Sequence, residues 1–232
     1  MTFSIVAWDL RTGMTGVAVA TKHLAVGALV PHAKAGVGAI ATQAATNPLL
    51  GIHGLEMLEA GDPHHTTSPE EALQRLLFED PDHEQRQLHM VNRYGQTAAW
   101  TGKDCEGWAG HLTFAGFSVA GNMLVGEAVV QAMATAYQQF EGRDFCDRLL
   151  LALEAGDAAG GDKRGKQSAA IRVMHTDSYP HLDLRVDHHC QPIVQLRETF
   201  AESRQDYYQS FRQTMPSDRH KVLSLLPEQK VS

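Results

Sequence analysis

The sequence predicts an α+β fold of mostly antiparallel sheets, with the helices set apart from the strands. Three observations carry this. The predicted elements run strands, two helices, strands, two helices, strands, helix, and so lack βαβα alternation. The first two strands are separated only by a turn at Thr12-Gly13, the mark of a hairpin. No internal repeat or low-complexity linker divides the 232 residues, so a single domain is expected over 1–213, followed by a polar tail over 214–232.

Residues 2–9 (TFSIVAWD) read as a strand of apolar and β-branched residues, and 17–20 (VAVA) as its hairpin partner. Residues 36–43 (GVGAIATQ) read as a third strand whose small residues allow close backbone approach. Asn47 as N-cap with Pro48 in the first turn opens a helix expected to end at Gly61. Ser68 and Glu71 have capping-box spacing, and EALQRLLF carries a helical apolar stripe. Residues 86–92 and 96–101 alternate around Tyr94-Gly95, giving a second hairpin. Residues 117–122 read as a strand, and 127–140 and 144–154 as helices. Residues 167–175 and 182–187 read as strands. The latter places Asp183, Arg185 and Asp187 on one face, as an ion-pair ladder, against Leu182, Leu184 and Val186. Residues 192–213 form one amphipathic helix with Leu196, Phe200, Tyr207 and Phe211 as its buried set.

Composition narrows function by exclusion. With 43% hydrophobic and 20% charged residues the chain is ordinary globular protein. A net charge of −7 and no Lys/Arg block argue against nucleic acid as partner. No stretch approaches 18 apolar residues, so no membrane span is expected, and the N-terminus lacks the basic region of a signal peptide. Cys105, Cys146 and Cys190 are far apart, which suits reduced thiols in a cytoplasmic protein. All 20 glycines lie between Gly13 and Gly165. The acidic excess sits there too: residues 1–170 carry 12 basic and 19 acidic side chains, and 171–232 carry 8 of each. Against that background Lys22, Lys163, Arg164 and Lys166 stand out as local positive charge, favouring a small anionic or carboxylate-bearing substrate.

Three motifs bear on chemistry. Residues 160–168 (GGDKRGKQS) nearly match the phosphate loop G-x-x-x-x-G-K-[ST]. However, Gln167 stands where Ser or Thr must hold magnesium, and the loop leads into a strand, not a helix. A glycine-rich anion cradle and a plain tight turn are equally supported there. Asp187, His189 and Cys190 are competent metal ligands, but their spacing matches no standard site, and His32 and His64-His65 read as solvated loop residues. No metal or cofactor is expected. Finally, Thr2 is small enough for Met1 to be removed. The exposed Thr would then carry a hydroxyl beside an α-amine of pKa about 7.7–8.0, its own base.

Taken together these segments resemble a known family. The pattern comprises 2–9, 15–20 (TGVAVA), 24–31 (LAVGALVP), 35–43 (AGVGAIATQ), Asn47-Pro48, 108–111 (WAGH), 121–124 (GNML), 153–170 (LEAGDAAGGDKRGKQSAA) and 183–187 (DLRVD). It spans about residues 2–200, and the long glycine-rich block is its most specific part. The chain resembles an uncharacterised bacterial family, a numbered domain of unknown function, with the N-terminal-nucleophile (Ntn) hydrolase-like fold. Within that fold it is similar to the archaeal IMP cyclohydrolase group. It departs from the pattern at Trp8 and in the insert at 64–68.

The resemblance implies a four-layer α-β-β-α sandwich and a hydrolase of a small amide or cyclic amide. Thr2 would be the nucleophile, and Lys22 would lower its amine pKa by like-charge repulsion. Asn122, or backbone N–H groups near Gly121, would serve the oxyanion. The loop would bind substrate through Gly161, Asp162, Arg164, Gln167 and Ser168. Two other functions fit the same resemblance: a cyclohydrolase-like enzyme without a covalent nucleophile, and a non-catalytic small-molecule binder. Tyr207, Tyr208 and Phe211 are common interface residues, so a homo-oligomer is expected.

Overall fold

The computed structural model describes residues 2–60 and 67–217. The expected helix end at Gly61, the His64-His65 pair and most of the 214–232 tail lie outside the described residues. The chain opens with the predicted hairpin, β1 (Thr2–Trp8) and β2 (Thr15–Thr21). Its turn is closed by the Asp9 carboxylate, which accepts from the Arg11 N–H and the Thr12 hydroxyl at 3.0 Å each. Then come β3 (Pro31–Lys34), β4 (Gly38–Ala44), α1 (Pro48–Glu59) and α2 (Pro69–Glu79). Both helix starts form as read. The Asn47 side chain accepts from Leu49 N–H, and Ser68 and Glu71 make the reciprocal capping box.

The next six elements are β5 (Arg86–Asn92), β6 (Thr97–Thr101), β7 (Trp108–Phe114), β8 (Phe117–Leu124), α3 (Ala128–Gln139) and α4 (Phe145–Ala158). The chain continues through β9 (Ser168–Met174), β10 (Leu182–Val186), α5 (Pro192–Ser203) and α6 (Asp206–Gln213).

Two differences from expectation have physical reasons. β3 and β7 are edge strands without apolar alternation: β3 has four residues and begins at a proline, and β7 is half-buried along nearly its whole length. The helix expected over 192–213 is two helices that break at Arg204-Gln205, where no Gly or Pro signals a stop. Leu196 and Phe200 are buried as expected, whereas Tyr207 and Phe211 stand exposed on α6.

Among the described residues ten strands form two antiparallel sheets, in the orders β10-β9-β2-β1-β8-β7 and β3-β4-β5-β6. Three apolar cores lie between four layers. Phe3, Ile5 and Ala7 of β1 face α3–α5, packing on Met133, Leu149 and Leu196. Val6 and Trp8, with Val17 and Val19, meet Ala39, Ala41 and Val91 of the second sheet. Ile40, Leu88 and Met90 face α1 and α2 through Leu50, Leu73 and Leu76. The architecture is therefore an α-β-β-α sandwich. β1 and β2 are covered on both faces, which is why they read as unbroken buried runs. Among the described residues no helix is long and apolar enough to cross a membrane.

The glycine-rich half lets backbones approach. A Cβ at Gly16 would stand 2.6 Å from the Arg172 carbonyl oxygen and 2.8 Å from a Val173 methyl. The first of these is backbone and cannot swing away. Gly16→Ala should therefore destabilise by about 1–3 kcal/mol, read as a lowered urea midpoint.

Candidate active site

Alternation along β1 turns Thr2 to the same inter-sheet face as Ser4 and Val6. Its hydroxyl is nearly buried and shares a 3.2 Å hydrogen bond with that of Thr21, its register partner on β2. On the other side Thr2 pairs with Asn122 of β8. Thr2 and Thr21 line a cavity of about 260 Å³ with Leu24, Val26, Leu29 and Val30. A second cavity of about 300 Å³ adjoins it through His23 and Ala44, and is lined by Asn122, Arg164, Asp104, Cys105 and Glu106. A larger hollow of about 490 Å³ beside α6 shares none of these residues. There the Tyr179 hydroxyl and the Arg212 guanidinium already donate to backbone carbonyls.

The position of Asp162 follows from the sheet. It bridges Leu124, whose other edge is taken by Trp108 of β7. Asp162 therefore lies on the β1 side of β8, in line with β1, where the second residue before Thr2 would pair. The Asp162 side chain is only 1% exposed. Its Oδ1 accepts from the Arg164 N–H at 2.7 Å. Its Oδ2 lies 3.7 Å from the Arg164 guanidinium and has no hydrogen-bond partner among the described residues. Burial pushes this carboxyl above its ordinary pKa, opposed by the N–H and charge of Arg164 and, more weakly, by the Lys22 backbone.

The other predicted loop residues divide. Lys22 is one residue past β2, exposed, with its Nζ 4.0 Å from where a Cβ on Gly165 would stand. Gly161 adopts φ +49° and sits against Phe3, and its carbonyl accepts from Val125 N–H. Gln167 donates its N–H to Thr21 at 2.7 Å. Ser168 is fully buried, donating to the His23 carbonyl at 2.6 Å and accepting from Val26 N–H at 3.1 Å. Of these loop residues Arg164 lines the second cavity and Asp162 lies in line with β1, while Gly161, Gln167 and Ser168 are held by Phe3, Thr21, His23 and Val26 and line neither cavity. Lys166 is held in an ion pair with Asp157.

Sequence reading missed a polar seam between the sheets. Gln87 Oε1 accepts from Asn122 Nδ2 at 3.0 Å and from Gln43 Nε2 at 2.8 Å. The Gln87 amide N–H groups reach the carbonyls of Gly121 (2.8 Å) and Gly110 (3.1 Å) and the Thr101 hydroxyl (2.9 Å). Ser4 donates to Gln43 Oε1 at 2.7 Å and meets His89 Nε2 at 2.8 Å, and His89 Nδ1 meets Ser118 at 3.2 Å. With Ser4 as donor to Gln43, the neutral His89 carries its proton on Nε2. The available signal was a set of polar residues, Ser4, Gln43, Gln87 and His89, inside otherwise apolar strands.

Burial, helped by nearby His111, pushes the His89 pKa down to about 3. Between about 6.5 and 3 the unfolded chain binds a proton here that the folded chain does not, so stability falls as pH falls. From this group alone, the unfolding free energy should drop by about 2 kcal/mol between pH 7 and pH 5. The half-buried His32 and His111 shift in the same direction and add to the slope. Urea titrations at both pH values measure it, and His89→Gln should flatten it.

Comparison with known proteins places the chain. Residues 2–196 match the model of a family described as a family of unknown function, DUF1028. The protein belongs to this family. The crystal structure of a DUF1028 protein from Silicibacter pomeroyi is 34% identical, with a TM-score of 0.85 over 93% of this chain and 95% of that one. Anbu (ancestral beta-subunit) from Yersinia bercovieri is a more distant likeness, with 11% identity and a TM-score of 0.41 over 92% of this chain and 98% of that one. No curated protein matches this DUF1028 chain.

Proposed function

We propose that this protein is a hydrolase of small amides or cyclic amides whose nucleophile is Thr2, freed by removal of Met1. The observation that carries the reading is the placement of Asp162. A buried carboxylate, one oxygen of which makes no hydrogen bond among the described residues, lies in line with the start of β1, ahead of a buried threonine hydroxyl on a cavity wall.

The chemistry follows from that arrangement. The Thr2 amine takes the hydroxyl proton as Oγ1 attacks the carbonyl carbon. The ammonium that forms faces Asp162. Asn122 gives one N–H to Gln87, and its second N–H meets the oxyanion. The ammonium then protonates the departing nitrogen as the C–N bond breaks, and water hydrolyses the resulting ester. Lys22 and Arg164 keep the local potential from becoming too negative for the amine to lose its proton.

Intact mass should show Met1 absent, and a panel of small amides and cyclic imides should show turnover that Thr2→Ala removes. Met1 retained in protein that turns over substrate contradicts the reading. If Thr2→Ala keeps activity while changes at Asp162 or Arg164 remove it, the enzyme uses no covalent nucleophile. A ligand that stabilises the protein and is recovered unchanged marks a binder.

A further inference from the structure

We infer that the substrate is an N-acyl amino acid with an apolar acyl group, because the two adjoining cavities differ in chemistry and Thr2 lines only one of them. The inference rests on Thr2 as nucleophile. The Thr2 cavity is walled by Leu24, Val26, Leu29 and Val30, with Leu24 60% and Leu29 50% exposed at its surface. Such exposed aliphatic side chains beside a cavity suit an apolar ligand. The neighbouring cavity instead presents Arg164, Asp104 and Glu106, and His23 stands between the two.

In a nucleophilic mechanism the acyl group stays bonded to Thr2 Oγ1 after the C–N bond breaks, so it occupies the cavity that Thr2 lines. The leaving amine occupies the other. Arg164 there is 44% exposed and stands 3.7 Å from Asp162, the carboxylate that would face the Thr2 ammonium. Its guanidinium is then directed to a substrate carboxylate. The new amino group formed on cleavage faces the carboxylates of Asp104 and Glu106. A leaving group that carries one carboxylate and gains one ammonium is an amino acid. The overall reaction consumes one water and yields a carboxylic acid and the free amino acid.

The test is calorimetric titration of Thr2→Ala protein with N-hexanoylglycine, N-hexanoylglycinamide and N-succinylglycine. N-Hexanoylglycine should bind at least about tenfold more tightly than either of the others. Adding Arg164→Gln should erase discrimination against the amide, and Leu29→Asp should erase the preference for hexanoyl over succinyl. Both side chains are at the surface, and unchanged melting temperatures show that the fold is kept. Equal affinities, a reversed preference or no binding of any of the three overturns the inference. Turnover by the wild type separates the two claims. Selective binding without Thr2-dependent turnover defeats the nucleophile and leaves the recognition standing. Thr2-dependent turnover with a reversed preference defeats the recognition alone.

Discussion

Thr2→Ala should lower kcat/KM for amide hydrolysis by roughly a thousandfold or more while leaving the fold intact. The two effects separate because the Thr2 side chain does little structural work. It makes one 3.2 Å hydrogen bond, to Thr21, so its loss costs about 1 kcal/mol of stability. The β1 ladder to β2 and β8 is backbone and stays. Thr2→Ser keeps the hydroxyl and should keep much of the activity. Asn122→Ala should act between these, costing roughly a hundredfold through loss of an oxyanion donor. Single-turnover kinetics with matched melting curves distinguish a lost nucleophile from a lost fold.

The largest stability effect should come from Gln87→Leu. Gln87 is fully buried, and its one amide serves both sheets. Removing it strips the acceptor from Gln43 and Asn122, and the donor from the carbonyls of Gly110 and Gly121. Each orphaned buried group costs about 1–3 kcal/mol, partly relieved by local shifts, so a loss of about 3–5 kcal/mol is expected. Urea unfolding at pH 7 measures it. A loss below about 1 kcal/mol would mean that the seam is wetter or more adaptable than its geometry implies. Because Asn122 hangs from Gln87 Oε1, activity in this variant should fall further than its residual folded fraction accounts for.

Much of the fold was legible because its signals are local. Asn47-Pro48, Ser68 with Glu71, and Tyr94-Gly95 each carry their own capping or turn chemistry, and each formed as read. β3 and β7 were not legible, since an edge strand borrows its pairing from a neighbour and needs no alternation of its own. The break at Arg204-Gln205 carries no Gly or Pro, so the apolar pattern runs across it unmarked. The apolar residues of α6 therefore mimic a buried stripe while staying exposed. The candidate site was partly legible. Thr2, Asn122, Asp162 and Arg164 are brought to one end of the sheets by β1, β8 and the glycine-rich loop. The partition within 160–168 was not legible, because Ser168 and Gln167 are engaged by the 21–26 segment, more than 140 residues away in sequence. The Gln87 seam escaped notice because single polar residues in buried strands reveal their partners only once two sheets are stacked.

The most direct test of Thr2 as nucleophile is mass spectrometry after treatment with an acylating β-lactone, whose ring a nucleophilic hydroxyl opens to an ester. One adduct per chain is expected, on a peptide that begins at Thr2 and lacks Met1, with no labelling of Thr2→Ala protein. An adduct on protein that retains Met1, or on another residue with Thr2 unmodified, would contradict Thr2 as nucleophile.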